Sequence, residues 1–174
     1  ALPITAGLLL ASGDIVRLLY GNDYLPAIFA FQILAGTIFI MFPVSILHNA
    51  IFAYDRQKFL MRVSVVGVAL NAILDLILIP FWGIAGAALA TLCTQAIIGA
   101  AMWHKAKRLN NFSILRALPK IAFATLIMGS SVVLLEQLNL PILLIIFLAS
   151  LVYVTTLFLL KETLLRDLKA ILVN

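Results

Sequence analysis

Few side chains in this sequence can do chemistry, and four of its residues form one stripe. Ser64, Gly67, Asn71 and Asp75 follow one another at helical spacing. At about 100° per residue such positions share one face of a helix. Asp75 stands within a long run of uncharged residues, about one turn from the outer end of its predicted helix. A carboxylate placed near mid-bilayer costs about 2.5–3.5 kcal/mol on insertion scales, and less near the interface. It therefore belongs against a bundle interior or a hydrated cavity. Two readings follow. The stripe lines a cavity, with Asp75 as a proton or cation site. Or it is a packing stripe, with Asn71 and Asp75 bonded to a neighbouring helix.

The other polar residues are sparser. Arg17 lies on the same side of the membrane as Asp75 and can meet it, an anionic headgroup, or Asp14 one turn away. His48 and Asn49 sit at the opposite end of their helix. Gln32, Thr91, Thr94 and Gln95 suit interhelical hydrogen bonds. Gly83, Ala87 and Thr91, with Gln95 a turn further and Gly86 nearby, form a small-residue surface that lets another helix approach closely. Cys93 has no second cysteine to bond and no metal-ligand neighbours, so a small core role is expected. Paired carboxylates, a metal cluster, a serine nucleophile motif and a phosphate-cradling glycine loop are all missing from the sequence. The expectation is a non-enzyme without a bound metal or cofactor.

The elements that position these residues are apolar helices. The chain is 64% hydrophobic and 11% charged, with mean hydropathy +1.18. Soluble domains carry about 25% charged residues. Of the 12 Lys and Arg residues, only Arg17 falls in an outer gap between apolar runs. The others occupy alternate gaps: Arg56, Lys58 and Arg62; then Lys105, Lys107, Arg108, Arg116 and Lys120; then Lys161, Arg166 and Lys169. Cytoplasmic loops retain cations in this way. The sequence pI of about 9.7 comes from these loops. They leave no basic helix face, which argues against nucleic acid.

The pattern predicts an all-α, polytopic membrane bundle. Its helices fall at about 1–20, 26–54, 59–79, 83–103, 117–136 and 141–160, with an amphipathic tail at 161–174. The 1–174 stretch reads as one membrane domain. Outer turns fall at Gly21, Trp82 and Asn139, and inner loops at Arg56 and Lys107. The C-terminus is then cytoplasmic. The first uncharged run, from Ala1 to Gly13, covers about 20 Å at ~1.5 Å per residue, short of a ~30 Å hydrocarbon core. A fragment of a longer protein is expected.

Several segments resemble a known family. Ile15-Val16-Arg17-Leu18-Leu19-Tyr20-Gly21-Asn22-Asp23-Tyr24 is similar to a signature of bacterial polysaccharide flippases. Ala30-Phe31-Gln32-Ile33-Leu34, Ala53-Tyr54-Asp55-Arg56-Gln57 and Asn71-Ala72-Ile73-Leu74-Asp75-Leu76-Ile77-Leu78-Ile79-Pro80 continue it in order. Gly83-Ile84-Ala85-Gly86-Ala87-Ala88-Leu89-Ala90-Thr91 completes it. The matched stretch runs over roughly 1–101; beyond it only hydropathy agrees. The resemblance is to the polysaccharide (O-antigen-type) branch of the multidrug/oligosaccharidyl-lipid/polysaccharide (MOP) exporter superfamily.

That resemblance implies a MATE-like fold of two six-helix lobes around a central cavity, often with two further helices. This chain would be the C-terminal part, working with a missing N-terminal lobe. The implied activity is movement of polyprenyl-pyrophosphate-linked oligosaccharide across the bacterial inner membrane by alternating access, coupled to H+ or Na+. Such transport serves cell-surface polysaccharide and lipopolysaccharide synthesis. A peptidoglycan-precursor flippase or an ion-coupled multidrug exporter is the near alternative, and a membrane polymerase or glycosyl transferase the distant one. One position departs from the family pattern: Asp75 stands where Asn is common. Cations for a pyrophosphate are not evident in this portion.

The topology predicts that single cysteines at Asn22 and Asn139 react with an impermeant thiol reagent from outside the cell. One at Asn110 stays unreactive until the membrane is opened. The reverse labelling would overturn the orientation.

Overall fold

The structure is a computed structural model describing residues 1–109, 118–138 and 140–160. Its elements are α1 (Leu2–Leu10), α2 (Ser12–Tyr20), a 3-10 turn (Asn22–Ala27), α3 (Ile28–Ala53), α4 (Gln57–Leu109), α5 (Leu118–Glu136) and α6 (Ile142–Leu159). The all-α membrane class holds. The Asn22–Ala53 segment, α4 and α6 are each long and apolar enough to cross a bilayer, and α1 with α2 qualifies as one broken span. The 26 residues of α3 alone reach about 39 Å at 1.5 Å per residue. The expected outer turn at Asn139, part of the basic loop and the 161–174 tail lie outside the described residues.

Two features differ from the six simple helices expected. The first helix is interrupted at Ala11, where Ala11 N–H still donates to the Gly7 carbonyl (2.9 Å). The chain also divides into two compact units, one holding 12–109 and the other 2–11 with 118–160. The break at Ala11 is where it passes from one to the other.

In the first unit, α4 is a hairpin. Its arms, 57–82 and 84–109, meet at Gly83, whose φ of 52° and ψ of −129° suit only a residue without a side chain. Pro80 prepares the bend because it has no N–H to give the Leu76 carbonyl. The arms then close tightly. A Cβ on Gly86 would collide with the Leu78 backbone, coming within 2.6 Å of its carbonyl carbon, and one on Gly67 would meet Ile98. At the other end α3 finishes in a Schellman-type cap. Arg56 N–H donates to Ile51 O (3.3 Å) and Asp55 N–H to Phe52 O (3.0 Å). Asp55 takes the left-handed position, at φ 56°. This cap turns the chain into α4 and brings Leu47, Ile51, Leu60, Met102 and Ala106 into one buried cluster.

In the second unit, Met128 and Val132 of α5 pack with Ile145 and Ala149 of α6, and Ala6 of α1 joins them. Gly129 lets Leu10 approach α5: a Cβ there would lie 3.5 Å from the leucine's Cδ1. Elsewhere large apolar side chains point outward; Leu76 is 78% exposed and Leu143 70%. In lipid, such residues need no cover, since acyl chains are as apolar as leucine.

Gly83→Ala and Gly86→Ala should each destabilise the detergent-solubilised protein by about 1–3 kcal/mol, the first through backbone strain and the second through the clash with Leu78. Gly36→Ala, at a helical position with nothing within 4 Å, should instead be neutral or stabilising by up to about 1 kcal/mol. Thermal unfolding followed by loss of monodisperse protein reads all three.

Candidate functional site

The hairpin sets the geometry of the polar stripe. Gly67 faces Ile98, and Leu78 faces Gly86. Positions 71 and 75 lie between 67 and 78 at helical spacing, so Asn71 and Asp75 occupy the face turned toward the second arm. Positions 90 and 94 lie between 86 and 98 and occupy its answering face. Counting along the two arms from these pairs, Asn71 falls level with Thr94 and Asp75 level with Ala90. Ala90 is fully buried and Thr94 nearly so. Ser64, in contrast, is exposed despite its place in the sequence pattern. It does not share the interior with Asn71 and Asp75.

Of the four buried side-chain polar atoms without a hydrogen-bond partner among the described residues, three lie at the same place and the fourth is Thr5 Oγ1 in α1. Thr37, Ser45, Thr91, Thr125, Ser130, Ser131, Ser150 and Thr156 each donate to a carbonyl three or four residues earlier, at 2.6–3.0 Å. That is how hydroxyls are satisfied inside apolar helices. Thr94 is not. Its Oγ1 is buried with no hydrogen-bond partner, as are Asn71 Nδ2 and Asp75 Oδ1. A buried polar group left unpaired costs about 1–3 kcal/mol, and more when charged. Three such atoms therefore lie on the facing sides of one hairpin within about two helical turns. They present an amide donor, a carboxylate and a hydroxyl, a set that can take up a proton, a small cation or water. Among the described residues, no group of three or more His, Cys, Asp and Glu side chains forms a multidentate metal centre.

Other expected residues fall elsewhere. Arg17 is exposed on the last turns of α2, and no ion pair among the described residues joins it to Asp14 or Asp75. Gly83 is the hairpin's turn and not part of a packing face. The close approach occurs instead along Gly86, Ala90 and Thr94. Ala87 and Thr91 are only part-buried, and Thr91 Oγ1 is used by the Ala87 carbonyl (3.0 Å). Gln95 is part-buried beside this face. Cys93 is exposed rather than in a core, as befits a small side chain on an outward helical face. Thr94 joins Asn71 and Asp75 in the candidate site by its unpartnered hydroxyl. Its spacing from Gly86 was visible in the sequence, but the choice between the 83–87–91 and 86–90–94 faces depends on the turn geometry at Gly83.

Interhelical polar bonding does occur elsewhere in this unit. Gln32 Nε2 of α3 donates to Ser12 Oγ of α2 at 2.9 Å. Tyr20 and Tyr24 flank the next turn with ring centroids 5.7 Å apart. Amphipathic rings of this kind suit the headgroup level.

Apolar helices with outward leucines, and polar atoms withheld inside one hairpin, define a multi-pass membrane protein. The chain belongs to the lipid II flippase MurJ family, whose sequence profile matches residues 1–155. It is also 32% identical over 96 residues to a probable low-salt glycan biosynthesis flippase, Agl15, of Haloferax volcanii. That match covers 55% of this chain and 20% of the relative, so the chain spans about a fifth of the length of the protein it resembles. No solved structure matches. Both similarities agree with the MOP-superfamily resemblance carried by the sequence motifs.

The orphaned hydroxyl gives a direct test. Thr94→Val, which keeps the shape and removes the unpaired Oγ1, should stabilise the protein by about 1 kcal/mol in the absence of a bound ion. Thr91→Val, which loses a satisfied bond, should be neutral or mildly destabilising. Equal effects in thermal unfolding would argue against an unpaired group at Thr94.

Proposed function

We propose that this chain works as part of a transporter, not an enzyme, that moves a lipid-linked oligosaccharide between leaflets by alternating access. The observation that carries the reading is family membership. The similarity to a glycan-biosynthesis flippase favours a polyprenyl-linked oligosaccharide for cell-surface polysaccharide. The family's own description favours a second reading, a lipid-linked peptidoglycan precursor. Both substrates join a polyprenyl tail to a polar, phosphate-bearing head. Both demand a path that shields the head from hydrocarbon, because charged groups are costly there.

The coupling ion enters at Asp75. Its buried, unpartnered Oδ1 lies on the same side of the hairpin as Asn71 Nδ2 and across from Thr94 Oγ1. Taking up H+ or Na+ removes the cost of an isolated carboxylate and changes the energy of this hairpin. A difference in ion affinity between two conformations is what lets an ion drive a conformational cycle. The cation pattern of the loops supports a cytoplasmic C-terminus, and the flippase reading supports a location in the cell membrane. The remaining partner is the rest of the transporter, in which cations for the substrate's phosphates would reside.

Flipping assays with the full-length protein in vesicles test both levels. Lipid-linked oligosaccharide and peptidoglycan precursor are supplied separately, with movement of only the latter selecting the second reading. Asp75→Asn should abolish the pH or sodium dependence of flipping and slow transport at least tenfold. Retention of full ion dependence would return Asp75 to a packing role.

A further inference from the structure

A second feature of the first unit lies away from the polar hairpin interior. Between α3 and the second arm of α4 runs an open groove of about 350 Å3, lined by Phe39, Ile40, Pro43, Val44 and Leu47 on one side and by Ala96, Gly99, Ala100 and Trp103 on the other. Every lining side chain is apolar. Sequence explains why it exists. Pro43 cannot donate to the Phe39 carbonyl and its ring crowds that turn. Ala96, Gly99 and Ala100 keep the facing wall low. The helices still touch at Gly99, where a Cβ would lie 3.0 Å from Val44 Cγ2. The groove is therefore a shaped channel along a packed pair.

Its length and ends identify an occupant. From Phe39 to Leu47 the groove follows α3 for about 12 Å at 1.5 Å per residue, close to one leaflet's half of a ~30 Å hydrocarbon core. It finishes at Trp103, an interfacial residue type. One turn further, Lys107 holds its Nζ 5.5 Å from the centre of the Trp103 ring, and Arg108 beside it is exposed. Lys105 stands over Phe59 at 5.4 Å. Arg56, Lys58 and Arg62 belong to the same end of the hairpin, and Asp55 is the acid near them among the described residues. This end carries a strong excess of positive charge directly beyond an apolar slot one leaflet deep. Each cation near an anionic lipid surface contributes attraction on the order of 1 kcal/mol.

We propose that this groove is a binding site for an anionic phospholipid: one acyl chain lies between α3 and α4, and the phosphodiester rests against Lys107 and Arg108. The site is separate from the Asn71–Asp75–Thr94 cluster, which faces the interior of the hairpin. It does not depend on which substrate is transported. Trp103 links the two halves of the site, with its ring on the acyl chain and under the Lys107 ammonium.

Native mass spectrometry of the full-length protein, released from membranes into mild detergent and exposed to phosphatidylglycerol or phosphatidylethanolamine, tests this. Phosphatidylglycerol should be retained at least fivefold more than phosphatidylethanolamine. Ala96→Phe, which fills the groove at an exposed position, should cut retention of both lipids several-fold. The Lys107→Gln/Arg108→Gln pair, at exposed positions outside the buried cluster, should remove the preference for phosphatidylglycerol while the protein still unfolds cooperatively in lipid-free detergent. Equal retention of the two lipids by the parent protein would overturn the proposal, as would a preference that survives the double substitution. A benzophenone amino acid replacing Ala100 should crosslink to lipid in membranes; a crosslink to another segment of the same polypeptide would overturn it by showing the groove filled with protein.

Discussion

The hydrocarbon interior supplies no hydrogen bonds, and the rest of this structure follows from that. Every backbone N–H and C=O there must be paired within the protein, and a helix does this without help. Departures from helix are correspondingly few in the first unit, and each is built to limit the loss. At the end of α3 the freed carbonyls of Ile51 and Phe52 are recovered by the amides of Arg56 and Asp55. At Gly83 the chain reverses with a single residue in a conformation open only to glycine. Pro80 and Pro43 each forgo one donor. The first helps form the turn, and the second opens the α3–α4 groove.

The same scarcity governs side chains. A hydroxyl in an apolar helix normally bonds to the preceding turn, as Thr91 and Ser150 do. An amide or carboxylate at mid-helix cannot satisfy itself so simply, and must find its complement on a neighbour, in water or in an ion. Asn71 and Asp75 face a neighbour made of Gly86, Ala90 and Thr94, of which Thr94 alone offers a polar side-chain atom. The small residues let the arms approach, and that closeness is what shuts solvent out around Asp75 Oδ1. Packing and polarity are thus one arrangement: widening the hairpin would wet the site, and tightening it further is prevented by the backbone contact at Gly86.

Much of this was legible in the sequence. Long apolar runs mark the helices because membrane segments have little else to be made of. Pro80-Phe81-Trp82-Gly83 marked the turn, and Asp75 stood out because a charge in such a run needs a reason. Side-chain facing was harder. Helical spacing places Ser64 with Asn71, yet Ser64 is exposed because the Gly67–Ile98 contact sets where the arms face one another. It likewise groups Gly83 with Ala87 and Thr91, whereas the turn at Gly83 swings Gly86, Ala90 and Thr94 inward. Pro3 and Gly7 are the sequence's signs of an irregular first helix, yet the interruption falls at Ala11. Thr94 is set apart only by its hydroxyl, which lacks the carbonyl partner that Thr91 has.

The turn at Gly83 has one more property, which concerns how the protein enters a membrane. From Leu76 to Leu92 there is no ionisable side chain at all. Carrying the tip of the hairpin across the bilayer therefore moves no formal charge, and a transmembrane voltage does no work on it in either direction. The cations at the opposite end meet the contrary condition and resist crossing. Insertion of α4 is biased by its anchored base while its tip is electrically silent, so Asp75 is the charged side chain of its upper arms on which the membrane potential can act.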